Sequence, residues 1–206
     1  MCSTLDNFAD GRLICTVAPG WMKEEFEVLG VPYEKRIDKT VEYIKIMKSL
    51  WHDDPSNFNG DYFSFNNVSF QPKPLQKRLP IWMGGNHDKA IQRSVDHADG
   101  WQPIWFSAEE LEPKIKYLND YAEKQNKTLE NFSISLRNRI KFTTKNEGGE
   151  ENPPTALIGE KNEVFEKILS YKKLNINEVV LDFLTPEKDE IFEIMETLGN
   201  ELIPEL

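Results

Sequence analysis

The sequence is poor in the residues that build metal and disulfide frameworks. It has two cysteines, Cys2 and Cys15, and three histidines, His52, His87 and His97, in 206 residues. Two cysteines cannot staple a chain of this length, so the default is a reduced, cytoplasmic protein. The histidines lack ligand spacing with one another or with cysteine, and no metal site is expected. Long apolar runs are also missing: stretches such as Val179 to Leu181 fall far short of the roughly 20 residues a membrane helix needs. The N-terminus, Met1-Cys2-Ser3-Thr4-Leu5-Asp6, lacks the basic and apolar regions of a signal peptide. Positive charge is in deficit, with 25 Lys+Arg against 35 Asp+Glu and a net charge of −10. A nucleic-acid partner is therefore not expected, because polyanions are held by clustered cations. There is no Walker loop, nucleophile elbow or dinucleotide glycine fingerprint. What the chain does have is 39% hydrophobic residues, five Trp and twelve Phe, enough for a substantial core.

The order of elements is legible from periodicity. Leu5 to Gly11 reads as the end of a helix running into a glycine stop, and Leu13 to Val17 as a buried strand closed by Ala18-Pro19-Gly20. From Arg36 to Trp51, Ile37, Val41, Ile44, Met47, Leu50 and Trp51 recur at threes and fours, one stripe of a surface helix. Residues 53 to 76 predict an extended excursion with a short hairpin. Leu79 to Gly85 is strand then glycine turn, and Asn86 is placed to cap a helix carrying Ala90, Ile91, Ser94 and Val95. Gly100 to Trp105 predicts a strand, and Ser107 with Glu110 has the spacing of a capping box.

Farther on, Phe132, Ile134, Leu136, Ile140 and Phe142 alternate with Ser133, Ser135, Arg137, Arg139 and Lys141, a strand with one apolar and one polar face. Gly148-Gly149 and Pro153-Pro154 mark a loop over 144 to 154. Val164, Phe165, Ile168 and Leu169 mark a helix, Glu178 to Leu184 a strand, and Thr185-Pro186 the cap and first residue of a last helix. Five strands, near 13, 81, 101, 132 and 179, mostly followed by helices, predict an α/β fold with a parallel sheet and one domain over 1–206.

Leu5-Asp6 through Gly11-Arg12-Leu13, then Gly20-Trp21, Glu24-Glu25-Phe26 and Leu29-Gly30-Val31-Pro32, resemble a segment of the luciferase-like monooxygenase superfamily, especially its branch using coenzyme F420. The match continues through Arg36, Glu42, Leu50-Trp51, Gly60-Asp61-Tyr62-Phe63, Pro72 to Gln76, Pro80 to Gly85 and Ala98-Asp99-Gly100-Trp101. The resemblance implies a (β/α)8 TIM-type barrel with a flavin or deazaflavin at the C-terminal ends of the strands. It enters just before the family's fourth strand, so about five βα units are expected, a truncated barrel. The implied chemistry is an oxidoreductase acting on a small organic substrate through coenzyme F420, with FMN and oxygen as the alternative and a homodimer as the expected assembly. The competing expectation is a catalytically inactive remnant or a partner-binding subunit.

The resemblance also places candidate residues. Gly84, Gly85, Asn86 and His87 occupy the loop the family uses for the phosphate side of the cofactor, where glycines admit the backbone and a helix start supplies N–H donors. Val17, Ala18, Pro19 and Gly20 occupy the loop beside the flavin or deazaflavin ring. Thr16 and Ala18 stand where the pattern has glycine, and a Cβ at Ala18 is expected to restrict the backbone. No catalytic acid or base is named, because the family's usual candidates lie partly in the units not represented. Glu24 and Glu25 are adjacent on a helix and point apart, which excludes a shared-proton dyad. Glu25 is a structural residue paired with Arg36 on this reading, and His52 and His97 are surface residues. Trp21, Trp82, Trp101 and Trp105 are expected in the core more than against a cofactor. Arg137, Arg139 and Lys141 form a basic row that either is solvated or meets an anionic cofactor or substrate.

Overall fold

A computed structural model of the chain describes Met1–Thr143 and Thr155–Leu206; the loop expected over 144–154 lies outside the described residues. The chain divides into two compact units, Met1–Trp101 and Gln102–Leu206.

The first unit is built on parallel strands. Helix α1 (Cys2–Phe8) ends into Gly11, which holds φ +71°, as the glycine stop predicts. Strand β1 (Cys15–Val17) pairs in parallel with β4 (Ile81–Gly84), with Cys15, Thr16 and Val17 opposite Ile81, Trp82 and Met83. Between them come α2 (Lys23–Val28), α3 (Arg36–His52) and an antiparallel hairpin of β2 (Ser56–Asn59) and β3 (Ser64–Val68), the expected excursion. Helix α3 and β4 share a core of Ile44, Trp51, Leu79, Ile81 and Met83.

Buried carboxylates tie the irregular segments to this core. Glu42 accepts hydrogen bonds from the backbone N–H groups of Asp61, Tyr62 and Phe63 at 3.0, 3.0 and 2.6 Å. Asp99 accepts from Arg78 and from Ile81 N, with Lys48 Nζ at 3.3 Å. Asp6 accepts from both the backbone and side-chain nitrogens of Gln76. Burial pushes the Asp6 carboxyl up, but the donors from Gln76 and the neighbouring backbone outweigh it and leave its pKa below the ordinary value.

Helix α4 (Asp88–His97) buries Ala90, Ile91, Ser94 and Val95, the predicted face. Its boundary differs from expectation: the cap is His87, not Asn86, and no side chain caps it. The loop takes one residue more because His87 is still extended, at ψ 153°, and a helix starts only where that geometry ends.

Strand β5 (Gly100–Gln102) neighbours β4 and is shorter than the predicted 100–105. Pro103 has no N–H for a ladder, and pairing resumes only at an isolated bridge between Ile104 and Arg137.

In the second unit α5 (Ala108–Lys124) opens with the predicted capping box, Ser107 and Glu110 each bonding the other's backbone. Strand β6 (Ser133–Phe142) pairs in parallel with β8 (Glu178–Phe183) over Ser135–Ile140 and with β7 (Leu157–Gly159) over Ile140–Phe142. Strand β7 went unrecognised in the sequence, where three residues give too little alternation to register. The even residues of β6, Ile134, Leu136, Asn138 and Ile140, are buried. Helix α6 (Lys161–Lys172) buries Val164, Ile168 and Tyr171, and Asn138 Nδ2 donates to Tyr171 Oη at 3.1 Å. That buried phenol has its pKa pushed up to about 12 by desolvation.

The last helix, α7 (Lys188–Thr197), begins after Glu187 rather than at Pro186. A residue before proline is held extended. Thr185 Oγ1 therefore spends its capacity locally, accepting from Glu187 N at 3.2 Å and donating to Glu190 Oε2 at 2.5 Å.

Candidate functional site

Parallel pairing brings the two candidate loops together. Because Val17 lies opposite Met83, residues 18–20 and 84–87 leave the sheet at the same C-terminal edge, from adjacent strands. This is the edge on which parallel α/β folds place their ligands.

In the second loop Gly85 adopts φ +135°, and a Cβ there would sit 2.7 Å from the Cβ of Ala90. Trp101 Nε1 donates to Gly85 O at 2.8 Å and fixes the orientation of that peptide. Trp101 is fully buried, as expected of a core residue. Asn86 is half-buried and His87 exposed at the amino end of the ten-residue α4. A glycine cradle feeding a helix start fits an oxyanion held by backbone amides.

The first loop is braced by side chains. Gly20 holds φ +77°, with the Phe26 ring 2.9 Å from where a Cβ would be. Arg36 Nε donates to Gly20 O at 3.0 Å and Nη1 to Tyr33 O at 3.3 Å, while the guanidinium stacks 3.6 Å over the Tyr33 ring. Tyr33 Oη donates to Trp21 O at 3.2 Å and meets Phe26 edge-on at 5.3 Å. Arg36 thus turns to backbone carbonyls and an aromatic ring rather than to Glu25. Trp21 is 78% exposed, outside the core it was expected to join. Ala18 is not among the residues with positive φ, so the Cβ that replaces the family's glycine adds no backbone strain.

Behind this loop lies a mainly apolar cavity of about 500 Å³, lined by Val17, Ala18, Pro19, Phe26, Arg36 and Tyr43 among others. Its size is within the range of small-molecule sites. Tyr33 and Tyr43 were not singled out in the sequence. The only signal for Tyr33 is its spacing three residues before Arg36, too common to carry weight.

The second unit carries the basic row. Arg137 makes a two-pronged pair with Asp182 at 2.8 and 2.9 Å. Ser135, on the same face, receives Gln102 Nε2 at 3.0 Å and donates to Glu178 at 3.2 Å. Arg139 lies 4.0 Å over the ring of Trp105. A cavity of about 590 Å³ lined by Ser107, Glu109, Thr155, Glu163, Lys167 and Tyr171 has no counterpart in the sequence reading. It is flanked by the capping box expected at Ser107 and by a second, at Glu160, that the sequence did not reveal. Among the described residues no group of three or more His, Cys, Asp or Glu is placed to hold a metal, and no helix is long and apolar enough to cross a membrane.

Comparison with known proteins fits this geometry. The sequence profile of the luciferase-like monooxygenase family matches residues 1–151. An FMNH2-dependent dimethylsulfone monooxygenase of Pseudomonas putida is 32% identical over 102 residues, covering 48% of this chain and 28% of that protein. The pyrimidine monooxygenase RutA of Cronobacter turicensis is 33% identical over 104 residues, covering 48% and 27%. The matched segment is thus less than a third of those relatives' length. Among solved structures, an F420-dependent secondary alcohol dehydrogenase in complex with an F420-acetone adduct superimposes with TM-score 0.80 at 20% identity, over 98% of this chain and 72% of its own. The fold is that of a truncated TIM-type barrel, a parallel α/β half-barrel, as the family resemblance implies. Flavin-dependent and deazaflavin-dependent oxidoreductases both occur among these similar proteins. The chain belongs to the luciferase-like monooxygenase family.

Proposed function

We propose that this chain is the cofactor-holding part of an oxidoreductase that uses a flavin or deazaflavin, coenzyme F420 by first choice and FMN as the alternative, on a small organic substrate. The observation that carries the reading is the convergence of residues 17–20 and 84–87 at one sheet edge, with Gly85 in a conformation that leaves room only for glycine.

Gly84, Gly85, Asn86 and His87 would hold the phosphate end through loop and helix-start amides, which suits a chain whose net charge of −10 opposes anions at long range. Val17, Ala18, Pro19 and Gly20 would lie along the ring system. When bound, such a cofactor supplies a ring that accepts or delivers a hydride, or in reduced flavin form reacts with oxygen. The protein's own part is positional: Arg36 and Tyr33 keep the first loop in one shape, and the apolar lining of the adjacent cavity keeps water from that side of the ring.

The test is equilibrium titration of the full chain with FMN and, separately, F420, followed by fluorescence of the cofactor. Saturable binding that Gly85→Ala weakens at least tenfold supports the reading. Absence of binding of either cofactor at 100-fold excess over protein overturns it.

A second reading, a partner-binding remnant without activity, is favoured by one feature. Among the described residues strand β1 is paired on one edge only, and Phe8, Trp21, Val28 and Leu29 near it in sequence are 84%, 78%, 87% and 75% exposed. Exposed edges and apolar groups invite association. Light scattering showing a stable assembly with no cofactor affinity would select this reading.

A further inference from the structure

The polar face of β6 is almost fully accounted for, and the exceptions point one way. Ser135 is bonded to Gln102 and Glu178, and the charge of Arg137 is neutralised by Asp182 on the neighbouring strand. The next two residues of that face, Arg139 and Lys141, are both half-buried. Neither side chain has a carboxylate partner or a hydrogen bond among the described residues. Two cations without an ion-pair partner among the described residues, about 7 Å apart by strand geometry, are unexpected in a chain with a net charge of −10.

Arg139 is instead placed by an aromatic. Its guanidinium lies 4.0 Å from the centre of the Trp105 ring. Trp105 itself holds φ +58°, with its N–H donated to Arg137 O at 2.9 Å. A bulky residue rarely adopts that left-handed conformation. Stacking occupies the flat face of a guanidinium and leaves its N–H edge free, the edge that grips carboxylate, sulfonate or phosphate oxygens in pairs. Arg139 and Lys141 also lie in the C-terminal half of β6, toward the end of a parallel strand where this fold places ligands.

We infer that Arg139 and Lys141, with Trp105 as platform, form a subsite for the anionic group, a carboxylate or sulfonate, of a small organic substrate. The assignment to substrate rests on the oxidoreductase reading above; the anion affinity itself does not, and it is measured without any cofactor. Asp182 is the reason the subsite begins at Arg139 and not at Arg137: the carboxylate already satisfies the earlier arginine.

The experiment uses the full chain and benzoate as probe, with benzamide as its neutral isostere, followed by ligand-observed NMR and calorimetry. Benzoate should bind saturably in the millimolar range or tighter, and benzamide at least about tenfold more weakly. Arg139→Gln should weaken benzoate about tenfold, Lys141→Gln severalfold, and Arg139→Lys, which keeps charge but loses the planar fork, should fall between. Lys124→Gln, an equal change of net charge at the far end of α5, should have no effect. Circular dichroism establishes that each variant is folded, and Arg139→Lys keeps the comparison informative if the glutamine variant is not. Equal binding of benzamide, or unchanged affinity in Arg139→Gln, overturns the subsite. Inorganic phosphate displacing benzoate at a tenth of its concentration would assign the cations to a cofactor phosphate and overturn the substrate assignment. Cofactor binding with no benzoate binding sinks this inference alone; Arg139-dependent benzoate binding with no cofactor binding sinks only the reading it was built on.

Discussion

Replacing Gly85 by alanine tests the candidate cofactor cradle and the fold at once. The residue sits at φ +135°, a region essentially confined to glycine, where an L side chain costs about 1–3 kcal/mol. The new methyl would also stand 2.7 Å from the Cβ of Ala90. Ala90 is 3% exposed on a helix face packed into the core, so it cannot yield without moving α4, and overpacking of this kind costs about 1–3 kcal/mol more.

Together the expected loss is roughly 2–6 kcal/mol, read as a shift of the urea midpoint at unchanged slope. The two contributions can be separated. Gly30 also has positive φ, +65°, but nothing lies within 4 Å of a Cβ built there. Gly30→Ala should therefore cost only about 1 kcal/mol, the left-handed penalty less the gain from a stiffer unfolded chain.

Removing the clashing partner should recover part of the Gly85→Ala loss. Ala90→Gly alone costs about 1.5–2 kcal/mol, from helix propensity and a lost buried methyl. In the Gly85→Ala/Ala90→Gly double variant the overlap is gone, so the total should fall short of the sum by at least about 1 kcal/mol. Strict additivity, or a Gly85→Ala loss no larger than that of Gly30→Ala, would refute the argument. In either case Gly85 would not be the sterically required glycine on which the proposed phosphate cradle depends.

Other outcomes follow from the same structure. Glu42→Gln removes one acceptor oxygen facing the N–H groups of Asp61, Tyr62 and Phe63 and places an NH2 among them; about 1–2 kcal/mol of stability should be lost, with faster proteolysis in the 56–68 hairpin. Arg36→Lys forfeits the fork between Gly20 O and Tyr33 O and the stack on Tyr33, so cofactor affinity should fall several-fold with little change in midpoint, and an unchanged affinity would remove Arg36 from its positioning role. The Asp6 carboxyl is depressed in the folded state, so its contribution is complete above the unfolded value and is lost as pH falls through the folded one. Asp6→Asn should flatten the acid limb of stability below about pH 4, measured by tryptophan fluorescence. The Cys15 thiol is raised from 9.0 to about 11, first by burial and then by Cys2, whose Sγ is 3.9 Å away. Stability should therefore decline as pH rises from 9 toward 11, and Cys15→Ala should lessen that decline.

Patterns with a short period were legible in the sequence. The 3.6-residue stripes of α3, α4 and α5 and the alternation of β6 report which face meets a core, because burial acts on each turn or pleat separately. So were the capping box at Ser107 and the glycine stop at Gly11, where the residue types themselves satisfy the backbone. The parallel order followed from alternation of strands and helices. Strand β7 was not legible, since three residues become a strand only when Ile140–Phe142 lie beside them. The ends of β5 and of α7 moved because Pro103 and Pro186 constrain backbone in ways a hydrophobic pattern does not display.

The candidate site divides along the same line. The sequence by itself determined that glycine-bearing turns follow the strands near residues 13 and 81, and that Arg137, Arg139 and Lys141 share a face. Only the tertiary structure decided that the two turns stand side by side, because strand register, not sequence separation, sets which loop ends meet. It alone decided that Arg36 serves Gly20 and Tyr33. It alone decided that Asp182, 45 residues away, cancels one arginine of the row and leaves the next stacked on Trp105, with its side-chain donors uncommitted among the described residues. A cation's partner is chosen by proximity in space, and no local pattern in a chain records it.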